Sequence, residues 1–513
     1  MTGPMTPVAP YRSPLPEGRD GFAQLVHAEW TKLRTVRGWV IGLLVAVLAT
    51  LLLGLVSDTG SHRSCNGPGG SHSCYSPPLG QNGEEITDNF YFVHQSLDGN
   101  GSITVRVSAL TGRGTGIQPW AKTGIIVKDG TAQGSAYAAM MATGDHGVRM
   151  QYDFVHDTAG LPGAVTATSP RWLRLTRTGD LLTGYDSTDG TTWTEVGTAR
   201  LPGLPTTVQI GLFTASPDDT SQGGDGTTSA TSVLDHVTVQ GSTAQGSGTG
   251  GTWQGDAVGG AVAGAPSPSG FQQADGSFTV TGSGDIAPAV GGPPPGVGLA
   301  AARTLVGAFA GLIVLIVLGT QFITVEYRRG LIRTTLTAGP RRGRVLAAKA
   351  VVIGSVAFGA GLVASAIALP LGLHLLRANG NAIFPIGLPT EVRLVVGTAA
   401  LLAVTAVFAL AIGTITRRSA GAVTTAVALT VLPYLLAVSA VLPAGPSEWL
   451  LRLTPAAGFA VQQSLTQYHQ VAGVYSPANG YYPLAPWAGF AVLCAWTALA
   501  MGLAAYRLRR RDV

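Results

Sequence analysis

Apolar residues fall along this chain in two rhythms. Six nearly continuous runs, roughly Trp39–Val56, Ala301–Val325, Val345–Ala368, Leu394–Ile415, Ala420–Leu442 and Ala485–Tyr506, each approach the length that a bilayer-crossing helix needs, about 20 residues. Between the first two runs the rhythm shortens. SITVRVSAL, TGIIVKD, SAYAAMMAT, GVRMQYDF, RWLRLTRTG, TTVQIGLFTAS and TSVLDHVTVQ alternate in part and are divided by turn residues, the pattern of a sandwich or barrel. In YDSTDGTTWTEVG the pair Asp189-Gly190 lies between strand-like flanks and predicts a hairpin. The expected fold is an α-helical membrane protein with six transmembrane helices and an all-β sandwich, jelly-roll-like, over residues 81–240 between helices 1 and 2. Residues 241–298, rich in Gly, Ser, Thr and Pro, read as a tether to which FTVTGSGDIAP adds one strand. Residues 1–20 are Pro-rich and read as a disordered leader.

A shorter helical pattern precedes the first run. Phe22, Leu25, Val26, Trp30, Leu33 and Val36 share an arc of about 140°, with Gln24, His27, Thr31 and Arg34 opposite, so residues 21–37 predict an amphipathic helix in the membrane interface. Glu29 sits on the apolar arc. The first expectation for it is a local pair with Lys32; the alternative is a contact to another helix or subunit.

Charge orients these elements. Between Asp58 and Gly298 there are 10 Lys and Arg against 20 Asp and Glu, whereas the rest of the chain carries 22 against 7. Lys32, Arg34 and Arg37 precede the first run, Arg417 and Arg418 follow the fourth, and Arg507, Arg509, Arg510 and Arg511 follow the sixth. The positive-inside rule then puts both termini in the cytoplasm and the acidic insert outside. The first run follows a polar leader and shows no cleavage site, so it reads as a retained anchor rather than a signal peptide. With 12% charged and 46% hydrophobic residues, the composition is that of a membrane protein. Cys65 and Cys74 in SCNGPGGSHSC face an oxidising compartment and are expected to pair as a disulfide; His62 and His72 make metal binding the weaker alternative.

Several chemistries are missing from the sequence. No GxxxxGK[ST], HExxH, CxxC or GxSxG occurs, so no catalytic, metal or cofactor site is expected, and ATP-driven work would need a separate subunit. Nothing points to nucleic acid. No strand-like run carries alternating acids, which argues against a glycosidase carboxylate pair. Trp120, Tyr137, Trp172 and Trp193 are expected first as sandwich core, with stacking on sugar rings as the alternative.

Residues 326–344, EYRRGLIRTTLTAGPRRGR, hold six arginines and one acid between two apolar runs. Such a loop contacts anionic membrane lipid by charge alone. It also contains LIRTTLTA, a short helical turn bounded by Gly330 and by Gly339-Pro340, and a short helix held between two spans can transmit a push. AEWTKLRTVRGW together with EYRRGLIRTTLTAGPRRGRVLAAKA resembles the type-2 ATP-binding-cassette (ABC) permeases of actinobacteria, over residues 21–57 and about 299–510. The resemblance implies an exporter permease in the cytoplasmic membrane, working with an ABC ATPase and a second permease copy or sister permease. ATP and Mg would be bound by the ATPase and not by this chain. It assigns ATPase coupling to Glu326, Tyr327, Arg328, Gly330, Ile332, Arg333, Thr334, Thr335 and Pro340, with Lys349 also matching. It reads WLLRLTPAAGFAVQQSL as an outward-side hairpin and residues 21–36 as an elbow helix. The insert is where the chain departs from that pattern. FYFVHQSLDGNGSITVRV, WAKTGIIVKDG and RWLRLTRTGDLLTGYDSTDGTTWTEVG are similar to concanavalin A-like lectin/glucanase sandwiches, a likeness that speaks to fold more than ligand. It leaves an alternative, a membrane-anchored surface protein that binds or senses carbohydrate such as cell-wall glycan.

Overall fold

The computed structural model describes residues 21–62, 77–113, 116–220, 226–243, 252–260, 268–291, 298–331, 341–439 and 441–510. The helix α1 (Phe22–Thr35) turns at Val36 into α2 (Arg37–Thr59). After the β region come α3 (Ala308–Arg328), α4 (Arg342–Ala378), α5 (Leu388–Thr416), α6 (Ser419–Thr430), α7 (Leu432–Val438), α8 (Ala444–Leu453) and α9 (Pro486–Arg510). Six helical segments, one for each apolar run, are long and apolar enough to cross a membrane. The fifth is broken into α6 and α7 at Val431, two residues before Pro433, whose ring cannot continue the i→i−4 hydrogen-bond ladder. α5 is the central span, 67% buried, whereas α2 is 17% buried and mostly faces outward. Small residues bring the spans together: a side chain at Gly319 would strike the Ala406 carbonyl, and one at Gly361 would meet Ala399.

The β region is one folded antiparallel sheet of 13 strands plus a two-stranded ribbon. β2 (Phe90–Arg113) makes the fold. Its first half, through Asp98, pairs with β10 (Thr207–Ala215) and β12 (Gln254–Val258); its second half, from Gly101, pairs with β7 (Arg171–Thr178) and β11 (Ser229–Thr243). Gly99 between the halves has φ 70°, a value a glycine adopts without a Cβ penalty. One layer continues from β10 through β3 (Lys122–Lys128), β4 (Tyr137–Thr143), β5 (Val148–Tyr152) and β6 (His156–Ala159). The other runs from β9 (Thr194–Arg200) through β8 (Leu181–Ser187) and β7 to the second half of β2, then β11, β14 (Ser277–Gly282) and β13 (Gly270–Ala274). Val93, Leu97, Ile103, Val105, Ile125, Met140, Leu173 and Leu175 share the core between them. All seven strand-like runs named from the sequence lie mainly in strands, and Gly190 turns the β8–β9 hairpin at φ 74°.

The stretch read as a tether is more ordered than expected. It contributes β12, β13, β14 and β15 (Ile286–Pro288), recruited by open edges of β2, β11 and β1 rather than by a strong pattern of their own. β15 pairs with β1 (Ile86–Asp88), so the strands leading into and out of the domain run side by side. This ribbon lies against the outward face of the first layer, where Phe90, Phe92, Ile126, Tyr137, Phe154 and Phe213 pack with Ile86 and Ile286. Two lysines on that face are fully buried. Lys122 Nζ is 2.6 Å from Asp285 Oδ1, and Lys128 Nζ is 2.8 Å from Asp88 Oδ2. Removing one member of such a pair leaves an uncompensated buried charge, so the ribbon is firmly docked.

Candidate functional site

α1, the end of α3 and the start of α4 meet beside the loop singled out in the sequence. The periodicity that puts Glu29 on the apolar arc of α1 carries it inward, where it is 4% exposed. Lys349, about two turns into α4, is 1% exposed. Its ammonium lies 2.7 Å from Glu29 Oε2 and 2.6 Å from Glu326 Oε1. Lys32 completes the cluster from the half-exposed side, 2.8 Å from Glu29 Oε1 and 3.3 Å from Glu326 Oε1. Two cations and two anions balance, which is the condition for keeping such groups out of water. Glu29 thus makes both contacts considered for it, the local one to Lys32 and the one to another helix.

Aromatic side chains wall the cluster. Lys349 Nζ stands 5.0 Å from the centre of the Phe322 ring, and Phe322 meets Trp39 edge-on at 5.4 Å. One residue past Glu326, the Tyr327 ring lies 5.2 Å from the guanidinium of Arg417, which ends α5 in a left-handed conformation at φ 59°. The last turn of α3 therefore touches α1, α4 and the end of α5 together. Burial pulls the Lys32 ammonium down, but the hydrogen bond and charge of Glu29, with the charge of Glu326, hold it above the ordinary lysine value.

The coupling residues named from the sequence divide by position. Glu326 and Tyr327 turn inward, whereas Arg328 and Gly330 are exposed, with Gly330 at φ 69° closing the end of α3. Ile332, Arg333, Thr334, Thr335 and Pro340 lie outside the described residues, as do Cys65 and Cys74. Cys494 is a half-buried free thiol in α9. Of the aromatic candidates, Trp120 (7% exposed) stacks on His146 and Tyr137 (0%) meets Phe154 edge-on inside the domain. Trp172 and Trp193 sit half-buried on the free face of the second layer beside Arg106 and Arg174. Among the described residues no group of three or more His, Cys, Asp or Glu is arranged to hold a metal. The sequence reading named Lys32 only as a partner of Glu29 and missed Phe322, Trp39 and Arg417 as members of the site. The one signal for the cluster was a carboxylate on an apolar helical arc.

Six helices long and apolar enough to cross a membrane, with an ion cluster joining two of them to the helix that precedes the first, define a polytopic membrane protein with a large β insert. The chain belongs to the ABC-2 family transporter proteins, whose family model matches residues 207–513, from β10 to the end. Members are membrane components of ABC transporters, not themselves catalytic, and the family implies a partner ATPase subunit. Solved structures similar to parts of the chain include a protein of unknown function from Saccharomyces cerevisiae, at 14% identity and TM-score 0.22, covering 30% of this chain and 75% of that one. Scytalido-glutamic peptidase with a transition-state analog inhibitor gives 10% identity and TM-score 0.28, covering 38% and 98%. SCP-B, an eqolisin-family peptidase in complex with the tripeptide Ala-Ile-His, gives 11% and 0.26, again covering 38% and 98%. At such scores no role passes from these proteins to this chain. No curated protein matches it.

Proposed function

We propose that this chain is the permease subunit of an ABC exporter of the actinobacterial type-2 kind. It sits in the cytoplasmic membrane with both termini inside and the β domain outside, and two copies, or one copy and a sister permease, pair with two ATPases. The observation that carries the reading is the Glu29–Lys349–Glu326 cluster, because it ties the elbow helix and the second and third spans at the root of segment 326–344. A force applied to that segment by an ATPase is delivered to three helices at once. ATP and Mg act in the ATPase, whose closure shifts contacts that differ between two states of the spans. Mostly Ala, Leu, Val, Gly and Thr in the spans favour an apolar or amphipathic cargo over an ion.

The test begins with gentle purification from native membranes. A P-loop ATPase is expected to accompany the chain, and Arg333→Glu is expected to lose either the ATPase or its coupled turnover while still inserting in the membrane. An Arg333→Glu chain that retains both, or a chain that crosslinks to no ATPase, refutes the assignment. A second reading, a surface protein that binds glycan, draws on Trp172 and Trp193 on the free face of the sheet. Six spans and a buried helix-joining cluster are more than an anchor needs. Binding of cell-wall glycan that disappears with residues 81–240, without any ATPase partner, would favour it.

A further inference from the structure

The ribbon that carries the chain through the β domain is held on two sides. On one side it is docked to the sheet through Lys122–Asp285 and Lys128–Asp88. On the other, the residues that follow β15 run onto the segment between the 3-10 turn Pro455–Gln462, which follows α8, and α9. The Gly291 amide donates to Tyr481 Oη at 2.8 Å. Ala289 and Val290 pack on the cluster of Phe384, Leu465 and Tyr481, and Tyr475 meets Tyr481 edge-on at 4.9 Å. The β domain adds a direct tie, with Gln470 Nε2 donating to the Val155 carbonyl at 3.0 Å. The start of that segment is fixed separately by Arg393 of α5, which donates to the carbonyls of Val461 and Gln463.

We propose that the β domain is a clamp on the return limb of the hairpin, residues 463–485, set through the ribbon, so that loosening the ribbon from the sheet frees this limb. The physical reason is that the holds act in series, from sheet to ribbon and from ribbon to limb. The ribbon is fastened to the sheet by two buried charge pairs, which break only at high cost once a partner is lost. The limb is fastened to the ribbon by one hydrogen bond and a small apolar cluster. Any displacement of the limb against the first two spans, which the ribbon joins, is therefore resisted by the whole β domain. In the permease reading the hairpin of residues 449–465, from which this limb returns to the last span, closes the outward end of the path, and the clamp would make the β domain the element that sets how readily it opens. The coupling itself needs neither ATP nor cargo.

Hydrogen exchange of the full chain in lipid nanodiscs, without nucleotide, tests it. In Asp88→Asn/Asp285→Asn, amides of residues 468–481 are expected to exchange about tenfold faster or more, while α4 and α5 keep wild-type protection. Tyr481→Phe, which removes only the Gly291 link, is expected to raise exchange at Gly291 and 473–481 by less. Faster exchange in the ribbon with unchanged exchange in the limb overturns the clamp. So does a limb that stays protected in a double variant whose β domain has unfolded. Because the ATPase is absent, failure of the permease assignment would leave this result standing, and the converse also holds.

Discussion

Replacing Lys349 with Met removes the positive centre of the cluster and keeps a side chain of similar length. Glu29 and Glu326 then face each other, both previously within 2.7 Å of the ammonium, and neither side chain is more than 12% exposed. Two unit charges about 5 Å apart at an effective dielectric of about 20 repel by about 3 kcal/mol. Loss of one partner from a buried pair costs about 3–5 kcal/mol by a separate route. Lys32, 44% exposed, recovers a fraction of this because water already screens it. The net expectation is about 3 kcal/mol, concentrated on α1, which packs on the spans chiefly through Leu33 and this cluster. Hydrogen exchange over residues 22–35 in nanodiscs should accelerate about 100-fold. Lys349→Met combined with Glu29→Leu and Glu326→Leu should return to within about 1 kcal/mol of wild type, since an apolar replacement of the whole pair is tolerated where a broken one is not. The reasoning is refuted if Lys349→Met leaves exchange in α1 within about threefold of wild type, or if the triple variant is no more stable than the single.

The remaining expectations concern the β domain and the segments around it. Backbone amides of Thr192 and Thr191 and the Ser187 hydroxyl hold the Asp189 carboxyl well below the usual carboxylate range, so its contribution to the β8–β9 hairpin is present above pH 3.8 and is lost as pH falls through the depressed value. Asp189→Ala should lower the melting temperature of the β domain at pH 7 and narrow its difference from wild type under strong acid, as followed by tryptophan fluorescence. Burial, against the hydrogen bond from the Gly291 amide, pushes the Tyr481 hydroxyl up to about 12, and burial also raises Tyr475. A neutral form favoured by folding leaves stability unchanged below pH 10 and erodes it as pH climbs toward 12; Tyr481→Phe should flatten that decline in thermal melts. Cys65 and Cys74 should appear as one linked peptide in mass spectra taken without reduction, and two alkylated thiols would disprove the bridge.

Much of this architecture is legible from local pattern, because a membrane span and an alternating strand each announce themselves within one element. The six spans and strands such as RWLRLTRTG are of that kind. What escapes is set by partners distant in sequence. Lys122 and Lys128 flank TGIIV and look like solvated ends of a strand, yet both are buried, since Asp285 and Asp88 arrive on the ribbon from either end of the domain. β12, QGDAV, has no pattern to distinguish it from a tether and becomes a strand because the first half of β2 offers an open edge, with Asp256 reaching His94 at 2.8 Å. In the ion cluster, Glu29 was visible as an exception to its helical arc, but its second partner, Lys349, lies some 320 positions away. The break of the fifth span at Val431 is signalled by Pro433, which an average over apolar residues does not register.

The pairing of β1 with β15 has a consequence for how this chain can be rearranged. Adjacent strands stand about 5 Å apart, so the β domain begins and ends at nearly one point, and α2 and α3 can remain neighbours with or without it. An excursion that returns to its origin is the geometry in which domains are most easily gained, exchanged or lost. Cutting after Asp88 and before Ile286 and closing the gap with a turn should leave the ribbon and the helical scaffold intact. The same two positions should accept a foreign domain whose ends lie equally close. The ribbon is in this sense a socket, and the β domain of the transporter can be refitted without redrawing its membrane part.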